Sequence, residues 1–191
     1  MADVGFIGLG NMGGALAARL LATYKLAVTD LDPVAVASLA DAGAEATENP
    51  AALSSLPVVI TCLPTSDHVA EVLFGNAGLL QGQADGQLII DMTSGNPLQT
   101  RDLAERARQR GAELVDAPVS GGVIGAQQGT IAIMVGASDT LFQRAQPYLA
   151  AISSKVFHAG ECGAGHAMKV INNMVSSCAR VATFEGLVLA K

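Results

Sequence analysis

The strongest constraint on what this chain can fold into is an alternation of short apolar runs with longer helix-forming stretches. β-Rich runs at 4–7, 26–29, 44–46, 58–63, 88–91, 113–117, 131–135 and 155–158 predict strands. Helices are predicted over 12–21, 32–42, 66–73, 97–110 and 138–149, with a further helix starting at Asn49-Pro50. Three helix starts pair a side-chain oxygen with a proline: Asp32-Pro33, Asn49-Pro50 and Asn96-Pro97. The oxygen caps free amides of the first turn, and proline fits there because its missing donor would have had no partner. Strands alternating with helices build a parallel sheet covered on both faces. The run Pro57-Val58-Val59-Ile60-Thr61-Cys62 suits such a sheet, because a strand buried on both sides stays apolar almost throughout. The expected fold class is α/β, a doubly wound and mostly parallel sheet.

The pattern changes after Gly163. Residues 164–190 contain no proline and only two glycines, Gly165 and Gly186, which predicts one long C-terminal helix of roughly 40 Å. Lys169, Asn173, Ser176 or Ser177, and Arg180 recur every three or four positions and so share a face, while the other faces are apolar. The chain thus divides into a sheet domain over 1–162 and the start of a long helix over 163–191.

Composition excludes several classes. Half of the 191 residues are hydrophobic and 15% are charged, the reverse of a disordered chain. Cys62, Cys162 and Cys178 are odd in number and fall at no metal-ligand spacing, so neither a disulfide framework nor a bound metal is expected. A net charge of −6 argues against nucleic acid, whose phosphates need clustered Lys and Arg. The most apolar long stretch, 170–190, is broken by Asn172, Asn173, Arg180 and Glu185, so no membrane span is expected. Reduced thiols and the absence of a basic signal segment point to the cytoplasm.

Gly8-Leu9-Gly10-Asn11-Met12-Gly13 follows the first strand and opens the first helix. Gly8 makes the tight turn, Gly10 lets a pyrophosphate approach the backbone, and Gly13 permits close helix–strand packing. Free amides at the helix start, including those of Asn11 and Met12, and the helix dipole favour the diphosphate. This places the sheet in the Rossmann type and makes residues 1–162 a dinucleotide-binding domain. Asp30 ends the second strand 22 positions after Gly8, the spacing at which a carboxylate reaches ribose hydroxyls, although a plain turn residue would also fit. Asp32 reads as the cap of the next helix. No Arg or Lys lies in Asp30-Leu31-Asp32-Pro33-Val34 to neutralise a 2′-phosphate, so NAD is favoured over NADP.

Asp116-Ala117-Pro118-Val119-Ser120-Gly121-Gly122 also follows a strand. Its Ser-Gly-Gly turn exposes successive amides and a hydroxyl, which suits an anion such as a carboxylate, and equally an ordinary turn. Lys169 is one of only four lysines, with Asn173 one helical turn further on. Flanked by Met168, Val170 and Ile171, it is either partly desolvated and usable in acid–base chemistry, or a surface lysine whose stem covers apolar neighbours.

Taken together, Gly8-x-Gly10-x-x-Gly13-x-x-x-Ala17-x-x-Leu20, Asp116-Ala117-Pro118-Val119-Ser120-Gly121-Gly122 and Gly163-x-Gly165-x-x-x-Lys169-x-x-Asn172-Asn173 resemble the three signatures of the β-hydroxyacid dehydrogenases, of the 3-hydroxyisobutyrate dehydrogenase and tartronate semialdehyde reductase kind. The resemblance implies an NAD-dependent oxidoreductase that moves hydride between nicotinamide and a small 3-hydroxy acid or its semialdehyde. It implies Lys169 as general acid/base, Ser120, Gly121 and Gly122 as holders of the substrate carboxylate, and Asn173 orienting the substrate or Lys169. It also implies a nicotinamide-side loop at Leu63-Pro64-Thr65-Ser66 and a ribose-side hydroxyl from Ser94 in Asp91-Met92-Thr93-Ser94. His68 is either a cofactor contact or a solvated helix-start histidine; His158 and His166 read as structural. Imine reductases share the scaffold, but the retained lysine speaks against them.

Relatives of this kind carry a further helical domain after the long helix, whereas this chain stops at Lys191 inside that helix. The resemblance therefore implies retained cofactor binding, weakened turnover, and a homodimer or larger assembly through the exposed apolar face of the helix. A non-catalytic NAD-binding module is the alternative.

Overall fold

The computed structural model describes residues 2–191; residue 1, the first of the expected 1–162 unit, lies outside them. The chain begins β1 (Val4–Ile7), α1 (Asn11–Leu21), β2 (Leu26–Thr29), α2 (Pro33–Asp41) and β3 (Glu45–Ala46). A single 3-10 turn at Pro50–Leu53 precedes β4 (Val58–Thr61), α3 (Ser66–Phe74), β5 (Leu88–Asp91), α4 (Pro97–Gln109) and β6 (Glu113–Asp116). Then come β7 (Val119–Ser120), α5 (Gly122–Gln128), β8 (Ala132–Gly136), α6 (Asp139–Ile152), β9 (Lys155–Gly160) and α7 (Ala164–Leu189).

The strands order as β3-β2-β1-β4-β5-β6-β8-β7, with β9 paired to β8. From β3 to β6 every pairing is parallel, and β8 turns antiparallel to β6 and β7 before β9 runs parallel to it. The strand order reverses between β1 and β4. In an open α/β sheet, ligands bind beyond the carboxyl ends of the strands at such a reversal.

Two differences from the sequence reading have simple causes. The helix expected at Asn49 is one 3-10 turn: Asn49 does cap it, accepting from the Ala52 amide at 3.2 Å, but the segment ends after four residues. The stretch after Ser120 holds a helix, α5, that glycine-rich composition concealed. The proline-led caps form as expected, with Asp32 accepting from Val34 and Asn96 from Leu98, each at 2.9 Å.

Successive strand residues point to opposite faces of the sheet, and the core divides accordingly. Phe6, Val28, Ile60, Ile90 and Val115 pack with Leu16 and Leu20 of α1 and Ala145 and Leu149 of α6. Ile7, Ala27, Val59, Ile89 and Leu114 pack on the other side with Val69 and Leu73 of α3 and Leu103 of α4. Each large aliphatic side chain so buried contributes roughly 1.5–3 kcal/mol. Both faces are therefore fastened, and the carboxyl edge of the sheet is left to carry loops.

Candidate active site

At the end of β1, Gly8 takes a φ of +95°, and a Cβ there would be driven into the Cys62 carbonyl. A Cβ on Gly13 would run into the Gly8 carbonyl oxygen, so α1 can approach the loop this closely only through glycine. Gly10 differs: beyond its immediate chain neighbours, nothing lies within 4 Å of where its Cβ would stand. That side of the loop faces open space. The half-buried Asp30 carboxylate at the end of β2 closes the turn, accepting from the Leu9 amide and, at 2.8 Å, from the Asp32 amide. Leu31 beside it is fully exposed. A groove of about 780 Å³ lined by Leu9, Gly10, Asn11 and Asp32 continues along α1.

The loops after β4 and β5 are tied together by buried polar groups. Asp91 is buried and accepts from the Thr61 hydroxyl at 2.9 Å and the Thr93 amide at 3.0 Å, while the Thr93 hydroxyl accepts from the Leu63 amide at 3.1 Å. Leu63, Pro64 and Ser94 are thereby set side by side on the carboxyl edge, with Pro64 and Ser94 exposed. Cys62 lies beneath, its thiol pushed up to about 12 by burial and by Asp91. A thiol so protonated is no nucleophile near neutral pH.

The end of β6 anchors α7. Asp116 is fully buried and accepts from the Gly163 amide at 2.6 Å and the His166 amide at 2.8 Å. These are charge-assisted caps on otherwise unpaired helix-start amides. Burial pushes the Asp116 carboxyl up, and the two amides pull the other way. Gly165 is required here, since a Cβ would strike the Met134 carbonyl of β8. His166, fully buried, donates through Nε2 to the Thr93 carbonyl at 2.8 Å, and its Nδ1 lies 2.7 Å from the Thr100 hydroxyl. It links the first turn of α7 to the loop that carries Ser94.

One turn after His166, Lys169 is half-buried and has no carboxylate partner among the described residues. Burial holds its ammonium below the usual lysine range. Ser120, at the end of β7, is half-buried, and its Oγ accepts from Asn172 Nδ2 at 3.0 Å. Gly121 and Gly122 follow it in an exposed turn that opens α5, with φ values of +139° and +69°. A cleft of about 490 Å³, lined by Thr65, Ser66, Ser94, Gly95 and Val170 among others, separates the starts of α3 and α4 from α7.

The structure strings the expected residues along one edge of the sheet. Gly8, Gly10, Asn11, Met12, Gly13 and Asp30 lie at the ends of β1 and β2. Leu63, Pro64 and Ser94 lie at the ends of β4 and β5, and Ser120, Gly121 and Gly122 beside α7 with Lys169. His68 is exposed in the first turn of α3, its Nδ1 2.7 Å from the Thr65 hydroxyl that caps that helix. Asn173 is exposed, and it is Asn172 that bonds Ser120. Sequence reasoning quoted Asp116 and Asn172 but gave neither a role. The only available signal was a carboxylate closing an apolar strand and an amide inside an apolar helix. Among the described residues no helix is long and apolar enough to cross a membrane.

Comparison with known proteins adds names to this geometry. A family model described as the NAD binding domain of 6-phosphogluconate dehydrogenase matches residues 3–160. A 3-hydroxyisobutyrate dehydrogenase of Pseudomonas aeruginosa is 42% identical over 191 residues, covering 99% of this chain and 64% of the relative. A 2-(hydroxymethyl)glutarate dehydrogenase of Eubacterium barkeri is 41% identical, covering 97% and 62%. Among solved structures, a 3-hydroxyisobutyrate dehydrogenase of Mycobacterium tuberculosis with L-serine superposes with a TM-score of 0.90 at 36% identity, covering 100% of this chain and 65% of that one. The chain spans less than two thirds of the length of these relatives.

Proposed function

We propose a reaction for this chain from its membership of a family: it belongs to the family of the NAD binding domain of 6-phosphogluconate dehydrogenase and carries that domain over residues 3–160. The proposed reaction is NAD-dependent oxidation of a small 3-hydroxy acid, or reduction of the matching semialdehyde. Two of the relatives are named for substrates with a hydroxyl β to a carboxylate. The observation that carries the reading is Lys169, half-buried and without a carboxylate partner among the described residues, on a helix bonded directly to Ser120.

The residues present fit a dinucleotide. The open face at Gly10 leaves room for the diphosphate against the amides of Asn11 and Met12, and Asp30 retains acceptor capacity for ribose hydroxyls. Bound there, NAD would supply the hydride acceptor or donor. Leu63, Pro64 and Ser94 would border the nicotinamide half, with His68 at its rim. The free amine of Lys169 accepts the hydroxyl proton during oxidation, and its ammonium returns a proton to the carbonyl oxygen in reduction. Ser120, Gly121 and Gly122 hold the carboxylate through one hydroxyl and two amides, and Asn173 orients the substrate beside Lys169.

Cofactor choice follows from charge. Asp30 and Asp32 flank the exposed Leu31, and no cation lies within 30–34 to meet a 2′-phosphate. NADH fluorescence titration is expected to give a Kd at least about tenfold below that of NADPH, a gap of about 1.4 kcal/mol. Asp30→Ala should narrow the gap. Equal affinities, or tighter NADPH, would refute the assignment. In a panel of small hydroxy acids, NAD reduction is expected with 3-hydroxy acids; NADH binding without turnover of any of them would reduce the chain to a binding module.

Self-association along α7 belongs to the same proposal. Met174, Val175, Phe184 and Leu187 are large apolar side chains exposed on it, Val175 to 59% and Leu187 to 63%, surface that a partner would cover. Light scattering should report a multiple of the monomer mass, falling towards the monomer in Val175→Glu/Leu187→Glu. A monodisperse wild-type monomer at working concentration would sink this part.

A further inference from the structure

Asn172 is the last residue of α7 that is not exposed; every residue from 173 to 191 is. The helix is held at its start by Asp116 and Gly165, and Asn172, on its third turn, is where it last engages the sheet through a polar side chain. An amide nitrogen carries two protons. Asn172 Nδ2 directs one at Ser120 Oγ, 3.0 Å away, and the other at Asn173 Oδ1, 3.4 Å away.

This arrangement settles which way the two neighbours face. Ser120 Oγ accepts from Asn172, so its own proton is left to donate elsewhere. Asn173 turns its carbonyl oxygen to Asn172, so its Nδ2 protons point away from it. Ser120 Oγ–H and Asn173 Nδ2 are thereby left as donors, beside the Gly121 and Gly122 amides and Lys169.

We propose that Asn172 is a positioning residue that fixes the donor polarity of the substrate site and so selects a carboxylate over a neutral group. It acts through Ser120 and Asn173 and does not touch the substrate. The inference rests on the dehydrogenase reading above and deepens it: the substrate class is an anion, and the residue that enforces this stands behind the residues that bind it. An aspartate at 172 would reverse the polarity. It would accept the Ser120 proton and a proton from Asn173 Nδ2, withdrawing both donors, and would add a negative charge beside the incoming anion.

The test uses the NADH-loaded chain with two probes, 3-hydroxypropionate and its methyl ester, titrated against wild type, Asn172→Ala and Asn172→Asp. Wild type is expected to prefer the acid. Asn172→Asp should weaken acid binding by about 100-fold or more while changing ester binding less than about tenfold, with Asn172→Ala between them. In separate turnover of the acid with NAD as oxidant, the loss should fall on KM, with kcat within a few-fold. NADH affinity and the thermal transition serve as controls for folding, and the acid-to-ester ratio in the uncharged Asn172→Ala is the readout that neither a merely structural role nor simple repulsion would change. If wild type prefers the acid and Asn172→Ala keeps that preference within about twofold, whatever Asn172→Asp does, the polarity role is overturned and the dehydrogenase reading stands. If NADH-loaded wild type binds neither probe, or both equally, the reading fails and this inference with it.

Discussion

Lys169→Ala is expected to lower turnover of a 3-hydroxy acid by about 10²–10⁴-fold, the range that a positioned proton-transfer group supplies, while leaving NADH affinity unchanged. The side chain is half-buried on α7, away from the fingerprint loop proposed to hold the cofactor, so its removal should strip out the proposed proton transfer and spare binding. Lys169→Arg should be nearly as inactive, because a guanidinium keeps its charge and cannot accept a proton. The proposed base role fixes the sign of the pH dependence, and burial, which shifts the Lys169 ammonium downward, moves the transition to lower pH. Oxidation requires the free amine and should rise with pH, with an inflection below the ordinary lysine value. Reduction requires the ammonium and should fall across the same interval. A variant that keeps wild-type kcat, or an oxidation rate that falls as pH rises, would remove Lys169 from the chemistry.

The second large effect separates two glycines of one loop. A Cβ at Gly10 meets nothing within 4 Å beyond its chain neighbours, whereas one at Gly13 collides with the Gly8 carbonyl. Gly10→Val should therefore fold with a thermal transition near wild type and lose NADH affinity by about 100-fold or more, because the isopropyl group occupies the space where a diphosphate meets the amides. Gly13→Val should forfeit stability itself, by about 1–3 kcal/mol or more, since overpacking at a backbone contact has no flexible end to yield. Calorimetry and NADH titration on the two variants check this. Equal loss of stability in both, or undiminished NADH binding in Gly10→Val, would contradict the assigned role of the loop.

Much of this was legible in the residues because it rests on local physics. Apolar strands buried on both faces, Asp and Asn caps followed by proline, and the glycine loop all leave marks within a few positions. The antiparallel turn of the sheet at β8 left none: a two-residue strand and a seven-residue helix carry too little periodicity to be read. The corner around Lys169 was half legible. The residues proposed to bind substrate match a recognisable pattern, but what holds them in place does not show in one sequence. Asp116 meets the start of α7 across 47 and 50 residues, and Asn172 meets Ser120 across 52. No local spacing pairs such groups; only the fold brings them together. The same holds for His166, which in sequence is a lone histidine and in the structure joins the helix carrying Lys169 to the loop carrying Ser94.

The most direct measurement is isotope transfer. NADH carrying deuterium at both C4 positions is incubated with the chain and a small 3-oxo acid, and the hydroxy acid formed is read by mass spectrometry. Wild type should yield product one deuterium heavier at C3, and Lys169→Ala, at equal NADH occupancy, almost none. A wild-type chain that binds NADH tightly and transfers no deuterium to any small 3-oxo acid, or a Lys169→Ala chain that transfers it at the wild-type rate, would contradict the proposed dehydrogenase.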